Sequence, residues 1–528
     1  IYVQASTLGL EQGDHFASIN VVSPTADPVA VPITLTVTGD NTTPTLPYID
    51  ISTNNDGIVS LPDYVDPLFS AVATRYTHIV APNEDLIQIL IQDDFTDEQI
   101  LHTRRVLESY LVDIPDSDWG SNKASIANAI ATTNAILFLL NDESEYDNPG
   151  LWELIDSGVQ GQDLLATEVH PEGSPAYMNS SERDATYEEV LHYVHGYGIQ
   201  LAAPGMQAAI ESAMSEAIEN GYYDPLFDLP VEDYDEEYLA MGLECYFGLW
   251  GHDPSGDGFC GDHEYAFIER ETMASGDPGL YNIIQGFMGE TLQYTASLPE
   301  TFDNEFYLSL QTNLDYTYRS QYLTDIILNG EGPANIYGNN YANNFQGNTG
   351  DNIFSGSFGD DIIHGSEGVD RAIYVGIRDE YVIIPPHATD DSSYQIIDLE
   401  PGRDGTDHLF DVEEIELNGV VFDISELLGL DVDQIPNNFA LHNPYPNPFN
   451  PKTRITYSVA AYGKVELSIF DLSGRLIRTL RNAPMGVGNH EVEWDAKDNE
   501  GNQVSTGVYL IHFASGSFKG TQKVLLLK

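Results

Sequence analysis

The residues best suited to chemistry lie in the stretch TYEEVLHYVHGYGI, residues 186–199. Its periodicity predicts a helix, which places Glu188, His192 and His195 at positions i, i+4 and i+7 on one face. A carboxylate and two imidazoles on one helical stripe form a ligand set that suits zinc and other first-row transition metals. The spacing therefore predicts a metal-binding face near the middle of the chain.

The string EEVLH at residues 188–192 resembles the metal-binding helix of the zincin peptidases. That helix carries two histidines one turn apart and, beside the first, a glutamate that acts as general base. The resemblance implies that Glu188 and His192 are ligands and that Glu189 is the catalytic base. His195 is then a further ligand or a group that orients one. The string departs from the family pattern at its first position, where Glu188 replaces a histidine.

A later segment, EEYLAMGLECYFG at residues 236–248, resembles the downstream helix that supplies a glutamate ligand in several such peptidases. Glu237 and Glu244 are seven residues apart and therefore share one face of that helix. The resemblance implies that either of them completes the metal site.

Two other interpretations use the same residues. Glu189-x-x-His192 has the i, i+3 spacing of carboxylate-bridged metal sites in helical bundles, but residues 236–250 do not provide the second such pair that these sites need. Histidines on an aromatic-rich helix are also often structural groups satisfied by nearby carboxylates. Metal binding and a purely structural role both remain open at this point.

Residues 66–328 are predicted to form one mostly α-helical domain with minor β-structure. Helices are predicted in DLIQILIQ (85–92), DEQILHTRRVLESYL (97–111) and KASIANAIATTNAILFLL (123–140), and Thr96–Gln99 is a capping-box start for the second. The region as a whole resembles uncharacterised domains of secreted bacterial proteins that share the string EExxHxxH. That resemblance brings no established activity.

Four nine-residue registers run from residue 338 to residue 373, and each opens on glycine. Glycines permit tight turns, and the large apolar residues at the eighth positions would fill a thin core. The registers resemble the calcium-binding nonapeptides of repeats-in-toxin (RTX) proteins, which implies a β-solenoid over residues 329–373. The calcium ligands implied by this resemblance are Asp351, Asn352, Asp360, Asp361 and Asp370.

Residues 374–430 are predicted to form a β-rich cap, because a solenoid must cover its last apolar turn. The run DGTDHLFDVEEIEL at residues 404–417 resembles the caps of such solenoids.

A second calcium-binding element is possible after residue 252. Asp253, Ser255, Asp257 and Glu264 occupy positions 1, 3, 5 and 12 of a calcium loop. The alternative is an acidic, glycine-rich turn held by a disulfide between Cys245 and Cys260, the two cysteines of the chain.

The two ends of the chain read as all-β modules. Residues 1–40 alternate apolar and polar side chains and resemble the end of a bacterial immunoglobulin (Ig)-like module, and residues 41–65 are a linker by composition. Because the chain opens mid-strand without an initiator Met or signal peptide, we expect a processed or truncated piece of a longer protein. Residues 437–528, with motifs such as HNPYPNPFNPKTRITYSV, resemble the β-sandwich sorting domain of type IX secretion.

The charge distribution narrows the possible partners. Residues 1–436 hold 10 Lys or Arg against 77 Asp or Glu, whereas residues 437–528 hold 10 against 7. So acidic a surface repels phosphate backbones and excludes nucleic-acid partners. Dense carboxylates make divalent cations, calcium above all, natural counter-ions, although a high-salt habitat would account for the same composition. No apolar run approaches the length of a transmembrane helix.

The sequence therefore predicts a multidomain fold, with a mostly α-helical centre between a partial Ig-like sandwich, a capped β-solenoid and a C-terminal β-sandwich. The protein is expected to be secreted or anchored at the outer-membrane surface and to bind calcium. Its expected partners are the type IX export machinery and an unknown protein or polysaccharide. The central domain is either a zinc-dependent peptidase-like hydrolase or a non-enzymatic adhesive or binding module.

Overall fold

A computed structural model describes the chain except for a few segments. The described residues are 13–23, 26–37, 43–179, 183–225, 230–249, 260, 264–386, 393–427, 439–459, 463–485, 488–515 and 518–527. The chain divides into two compact units, Ile1–Gly350 and Asp351–Lys528.

The first unit contains a hairpin and a mixed sheet. The strands are β1 (Gly13–Ser23), β2 (Ala26–Val37), β3 (Val59–Ser60), β4 (Arg75–Val80), β5 (Leu86–Ile91), β6 (Ile136–Leu140) and β7 (Gly161–Leu165). Strands β1 and β2 pair with each other, and they are the described part of the predicted Ig-like segment. Strands β3 to β7 form one sheet in chain order, antiparallel from β3 to β5 and parallel from β5 to β7.

Two of the helices predicted from apolar periodicity are wrong in whole or in part. The DLIQILIQ segment forms strand β5, and the ILFLL end of the 123–140 segment forms β6. All five residues of β6 are buried. A strand covered on both faces is apolar along its whole length, so its pattern cannot be told from that of a buried helix.

Helices occupy most of the rest of this unit, as predicted. They are α1 (Pro67–Ser70), α2 (Asp97–Leu111), α3 (Ala124–Thr133), α4 (Pro149–Asp156), α5 (Pro175–Asn179), α6 (Thr186–Val194), α7 (Gln200–Ala202), α8 (Pro204–Asn220), α9 (Tyr234–Phe247), α10 (Arg270–Gly276), α11 (Pro278–Met288) and α12 (Thr317–Ser320). Helix α2 begins with the predicted capping box, in which the Thr96 hydroxyl accepts from the backbone N–H of Gln99 and the Gln99 side chain accepts from that of Thr96.

The segment assigned to a linker, residues 41–65, takes part in the core. Leu46, Ile49 and Val65 are buried with Phe69 and Tyr76. Strand β3, within the same segment, pairs with β4. Its Pro-, Thr- and Asn-rich composition hides these isolated apolar anchors, which cover one side of the sheet.

Parallel stacking begins before the glycine repeats. The strands are β8 (Thr295–Leu298), β9 (Glu305–Tyr307), β10 (Asp325–Leu328), β11 (Asn335–Tyr337) and β12 (Asn344–Gln346). Strand β10 pairs in parallel with β8 and β12, and β11 pairs with β9. The stack therefore starts inside the segment assigned to the helical domain, because these first turns use longer loops without the glycine register.

The second unit continues with β13 (Ile353–Ser355), β14 (Ile362–His364), β15 (Arg371–Tyr374), β16 (Tyr381–Ile384), β17 (Tyr394–Asp398), β18 (Thr406–Phe410), β19 (Glu414–Leu417), β20 (Val420–Asp423) and α13 (Ile424–Leu427). Strand β15 pairs in parallel with β13 and β19, and β14 pairs with β18. Antiparallel pairing of β16 with β17, β17 with β18 and β19 with β20 completes a β-rich end to the stack.

The C-terminal module has two sheets. Its strands are β21 (Ala440–Leu441), β22 (Thr453–Val459), β23 (Gly463–Asp471), β24 (Leu476–Met485), β25 (Gly488–Trp494), β26 (Gly507–Ser515) and β27 (Phe518–Leu526). The sheet orders are β21-β22-β25 and β24-β23-β26-β27. Their inner faces share one core around Trp494, Tyr457 and Phe513. The predicted fold class, a helical centre flanked by β-modules, is confirmed.

Candidate metal centre

Helix α6 carries the EEVLH string and begins against Asp184. The Oδ1 atom of Asp184 accepts hydrogen bonds from the backbone N–H of Thr186 (3.1 Å) and from its hydroxyl (2.6 Å), which satisfies a donor that the first turn leaves free. Glu188 and Glu189 lie in that first turn, where a negative charge is favourable to the helix dipole. A π-helical turn, His195–Ile199, follows the last α-helical residue.

Helix α9 lies beside α6 and brings Glu237 to Glu188 and His192. One ligand atom from each of the three residues lies within 4.8 Å of the others. His192 is buried and the two glutamates are half-buried. The structure thus brings together three of the five residues that the sequence suggested as transition-metal ligands, and these donors suit a first-row divalent metal.

The second nitrogen of His192 meets a residue that the sequence did not suggest. Its Nδ1 lies 2.6 Å from Oε1 of Glu236, while Nε2 lies 3.9 Å from Oε2 of Glu237. A carboxylate on one imidazole nitrogen fixes the ring and directs the other nitrogen toward a metal. The only signal in the sequence was the doubled glutamate of EEYL.

Electrostatics support a charged Glu236 beside the histidine. Burial raises the pKa of Glu236, but hydrogen bonds to His192 and His195 outweigh it and lower that pKa to about 2. Burial lowers the pKa of His192, but the hydrogen bond to Glu236 and the charges of nearby glutamates outweigh it and raise that pKa. The structure therefore holds an imidazole against an ionised carboxylate.

His195 lies outside the three-residue group. Its Nε2 is 2.8 Å from Oε1 of Gln207, and its Nδ1 is 3.8 Å from Oε2 of Glu236. Its contacts place it as a group that positions Glu236, the second of the two roles considered for it.

Glu244 also lies outside the group, because Arg183 engages it. The Nε of Arg183 donates to Oε1 of Glu244 over 3.1 Å, and Glu244 is 1% exposed. Arg183 also forms an ion pair with Glu188. A divalent cation would compete with this guanidinium for the Glu188 carboxylate.

Glu189, the suggested base, points to strand β7. Its Oε2 accepts a hydrogen bond of 2.7 Å from Nε2 of Gln162. Burial raises the pKa of Glu189 to about 7, opposed by the nearby His192. Glu189 is therefore held between the sheet edge and the metal-site histidine.

A second polar cluster, which the sequence did not suggest, lies beneath α6. His102 on α2 is fully buried, with Nε2 2.8 Å from Oδ2 of Asp184 and Nδ1 3.3 Å from Oε2 of Glu172. Tyr187 and Tyr294 form short hydrogen bonds with each other, and Tyr294 donates to Glu172. Burial lowers the pKa of His102, but the two carboxylates raise it to about 10. The cluster is a buried imidazolium between two carboxylates.

Most of the suggested calcium loop, namely Asp253, Ser255 and Asp257, falls outside the described residues. Glu264 is described, and its carbonyl oxygen accepts a hydrogen bond from the backbone N–H of Asp224. The structure joins Cys245 to Cys260 in a disulfide.

The nonapeptide loops stack two repeats apart. The N–H of Asn352 donates to Asp370 Oδ1 and that of Val369 donates to Asp351 Oδ1, both over 2.8 Å. Asn352, Asp361 and Asp370 are buried, whereas Asp351 is exposed. Asp360, also exposed, accepts from the N–H of Thr406. The predicted apolar core is confirmed by its fully buried eighth positions, Phe345, Phe354 and Ile363.

Two family models match parts of the chain. The RTX calcium-binding nonapeptide repeat (4 copies) matches residues 337–372, and the FlgD Ig-like domain matches residues 452–517. No curated protein sequence matches the chain. Among the described residues, no helix has both the length and the apolar character needed to cross a membrane.

Solved structures resemble the chain only locally. FlgD from P. aeruginosa is 17% identical over 14% of this chain and 58% of its own, with a TM-score of 0.12. The dimeric latent PorU from Porphyromonas gingivalis is 15% identical over 26% and 12%, with a TM-score of 0.15. PorZ, a surface component of the type IX secretion system of the same species, is 15% identical over 28% and 22%, with a TM-score of 0.14.

The chain spans less than two thirds of each of these structures. It thus carries RTX-type calcium-binding repeats followed by a C-terminal Ig-like domain.

Proposed function

We propose that the protein is a secreted or surface-anchored hydrolase whose central domain uses one divalent transition metal, zinc by preference, to cleave peptide bonds. The convergence of Glu188, His192 and Glu237 carries this proposal. It takes support from the Glu236 contact, because a carboxylate behind a histidine is the usual outer partner of a metal ligand.

The chain's residues have separate roles in this proposal. Glu188, His192 and Glu237 would hold the metal, which when bound supplies a Lewis acid that polarises the scissile carbonyl. Glu189 accepts a proton from the attacking water and returns it to the leaving amine, so that an amide and water yield an acid and an amine. Gln162 holds the Glu189 carboxylate on the strand side.

Metal content tests this proposal directly. We expect the purified chain, after dialysis against zinc, to retain one zinc ion per molecule by elemental analysis. His192→Ala should remove it, because the variant loses one of three ligands. The matched control is His442→Ala, since His442 bonds Ser458 in the C-terminal module and should not affect zinc. A folded wild-type protein that retains no zinc would refute the metal centre.

A second candidate is a non-enzymatic binding or adhesive module. The ion pair of Arg183 with Glu188 favours it, because a guanidinium then compensates this carboxylate without a metal. In that case Arg183→Gln would destabilise the fold and zinc would not restore it. The metal-centre proposal expects the opposite, namely that zinc raises the melting temperature of Arg183→Gln more than that of the wild type.

We also propose that the C-terminal Ig-like domain directs export by the type IX machinery. The motifs of residues 437–528 and the Ig-like match to residues 452–517 support this role. In a bacterium with type IX export, a chain ending at residue 436 should remain inside the outer membrane, while the full chain reaches the surface or medium. Fractionation followed by immunoblotting measures this difference, and equal surface levels of the two chains would refute the role.

A further inference from the structure

The nonapeptide pattern recurs once beyond the matched repeats. In GRDGTDHLF, residues 402–410, glycine opens the register, and glycine, aspartate and leucine stand at its fourth, sixth and eighth positions. Strand β18 in this segment pairs in parallel with β14, so that Leu409 lies beside Ile363. Leu409 is fully buried, as the eighth-position residues are. The cap thus begins with a turn of the same design as the repeats.

The loop after β18 stacks on the last matched repeat. The N–H of Asp370 donates to Oε2 of Glu413 over 2.9 Å, and the N–H of Glu414 donates to the carbonyl oxygen of Asp370 over 2.9 Å. Two residues before Glu413, the carbonyl oxygen of Asp411 points to the same place, because a side chain at Gly365 would collide with it and with Asp370 Oδ2. A carbonyl, two carboxylates and a glycine therefore meet at this joint.

The Asp370 carboxylate is only half satisfied. Its Oδ1 accepts from the N–H of Asn352, but its Oδ2 is buried without a hydrogen-bond partner, and the residue is 0% exposed. Burial and the charges of Glu413, Asp351 and Asp411 raise the pKa of Asp370 to about 7. An unpaired carboxylate oxygen among like charges is unfavourable unless a cation compensates it.

The arginines of this region bind elsewhere. Arg371 pairs with Glu414 and Glu416, and Arg403 pairs with Asp398 and Glu380. The guanidinium of Arg378, the third arginine of the described cap and repeat residues after 350, donates to backbone carbonyls. The compensating charge must therefore come from a bound ion, and an all-oxygen donor set suits Ca²⁺.

We propose that a calcium ion joins the last repeat to the cap, bound by Asp370, Glu413 and the carbonyl oxygen of Asp411. This site lies partly outside the residues that match the repeat model, and it makes docking of the cap dependent on calcium. Without the ion, like charges separate the loop around Asp411 from Asp370, and strands β16 to β20 lose their support.

Glu413→Gln in the full chain tests the site. Its amide oxygen can still accept from the Asp370 N–H, so the fold without calcium should persist and circular dichroism in chelator should match the wild type. We expect isothermal titration with Ca²⁺ to show one bound ion fewer, and the rise in melting temperature on adding calcium to be smaller. The matched control is Glu416→Gln, on the same face of β19 but paired with Arg371.

The outcomes separate this site from the repeat sites. If Glu413→Gln binds as many ions as the wild type and Glu416→Gln, with the same affinity, the joint site is refuted. If Asp360→Asn lowers calcium binding but Glu413→Gln does not, the repeats bind calcium and only the joint fails. If the wild type binds no calcium at all, both fail.

Discussion

Glu189→Gln is expected to lower the rate of peptide hydrolysis by about 10²–10⁴-fold while leaving one zinc ion bound. The size of the loss is that of removing a general base, and the amide cannot accept the proton of the attacking water. Zinc binding should persist because Glu189 is not among the three converging residues. Casein or a quenched fluorescent peptide library provides the assay, with elemental analysis on the same sample.

The control for this experiment is Glu211→Gln. Glu211 is an exposed residue of α8, and its carboxylate accepts from Gln207 without contacting the three ligands. Its loss should change the rate little. Wild-type activity in Glu189→Gln would assign the base role to another group. Hydrolysis that persists in His192→Ala would show that the activity does not depend on the metal site.

His102→Leu is expected to lower the free energy of unfolding by about 3–5 kcal/mol, because it removes the cation from a buried set of charges. Glu172 and Asp184 are then left as adjacent carboxylates with almost no exposed surface. The matched control is His78→Leu, at a buried histidine on β4 whose pKa is lowered by burial. Urea unfolding at pH 7 measures both, and an equal loss in the two variants would contradict a special role for His102.

The same cluster predicts the pH dependence of stability. The pKa of His102 is raised from 6.5 to about 10, so its contribution is fully present below pH 6.5 and is lost as the pH rises toward 10. Burial raises the pKa values of Glu172 and Asp184, but His102 outweighs it and lowers both, so their contribution is lost as the pH falls through the acid range. Wild-type stability should therefore decline on both sides of neutrality, and His102→Leu should lack the alkaline decline.

Local signals in the sequence were sufficient for part of this architecture. The capping box at Thr96 starts α2 because it depends only on residues three apart. The nonapeptide strands follow because glycine turns and one apolar residue per turn determine the stack. The grouping of Glu188 with His192 follows from the helical period, since residues four apart share a face.

Other features depend on contacts between distant segments. Strands β5 and β6 carry uniform apolar runs, and only their pairing in the sheet distinguishes them from helix. Glu236 acquires its role because α9 packs against α6 at one particular rotation. The ion cluster of His102 joins residues 70 and 82 positions away in the chain, and no local pattern marks it.

The π-helical turn at His195–Ile199 adds one residue to an otherwise α-helical run. Within it Gly198 packs so closely on Ile126 and Ile130 that a methyl group would not fit, so helix α3 fixes the register of the extra residue. Extrapolating the helical period beyond His195 would rotate every later side chain by about one residue's turn, about 100°. Helical-wheel comparison with distant relatives would therefore be valid through His195 and would need a one-residue gap before Gln207 is superposed on its counterpart.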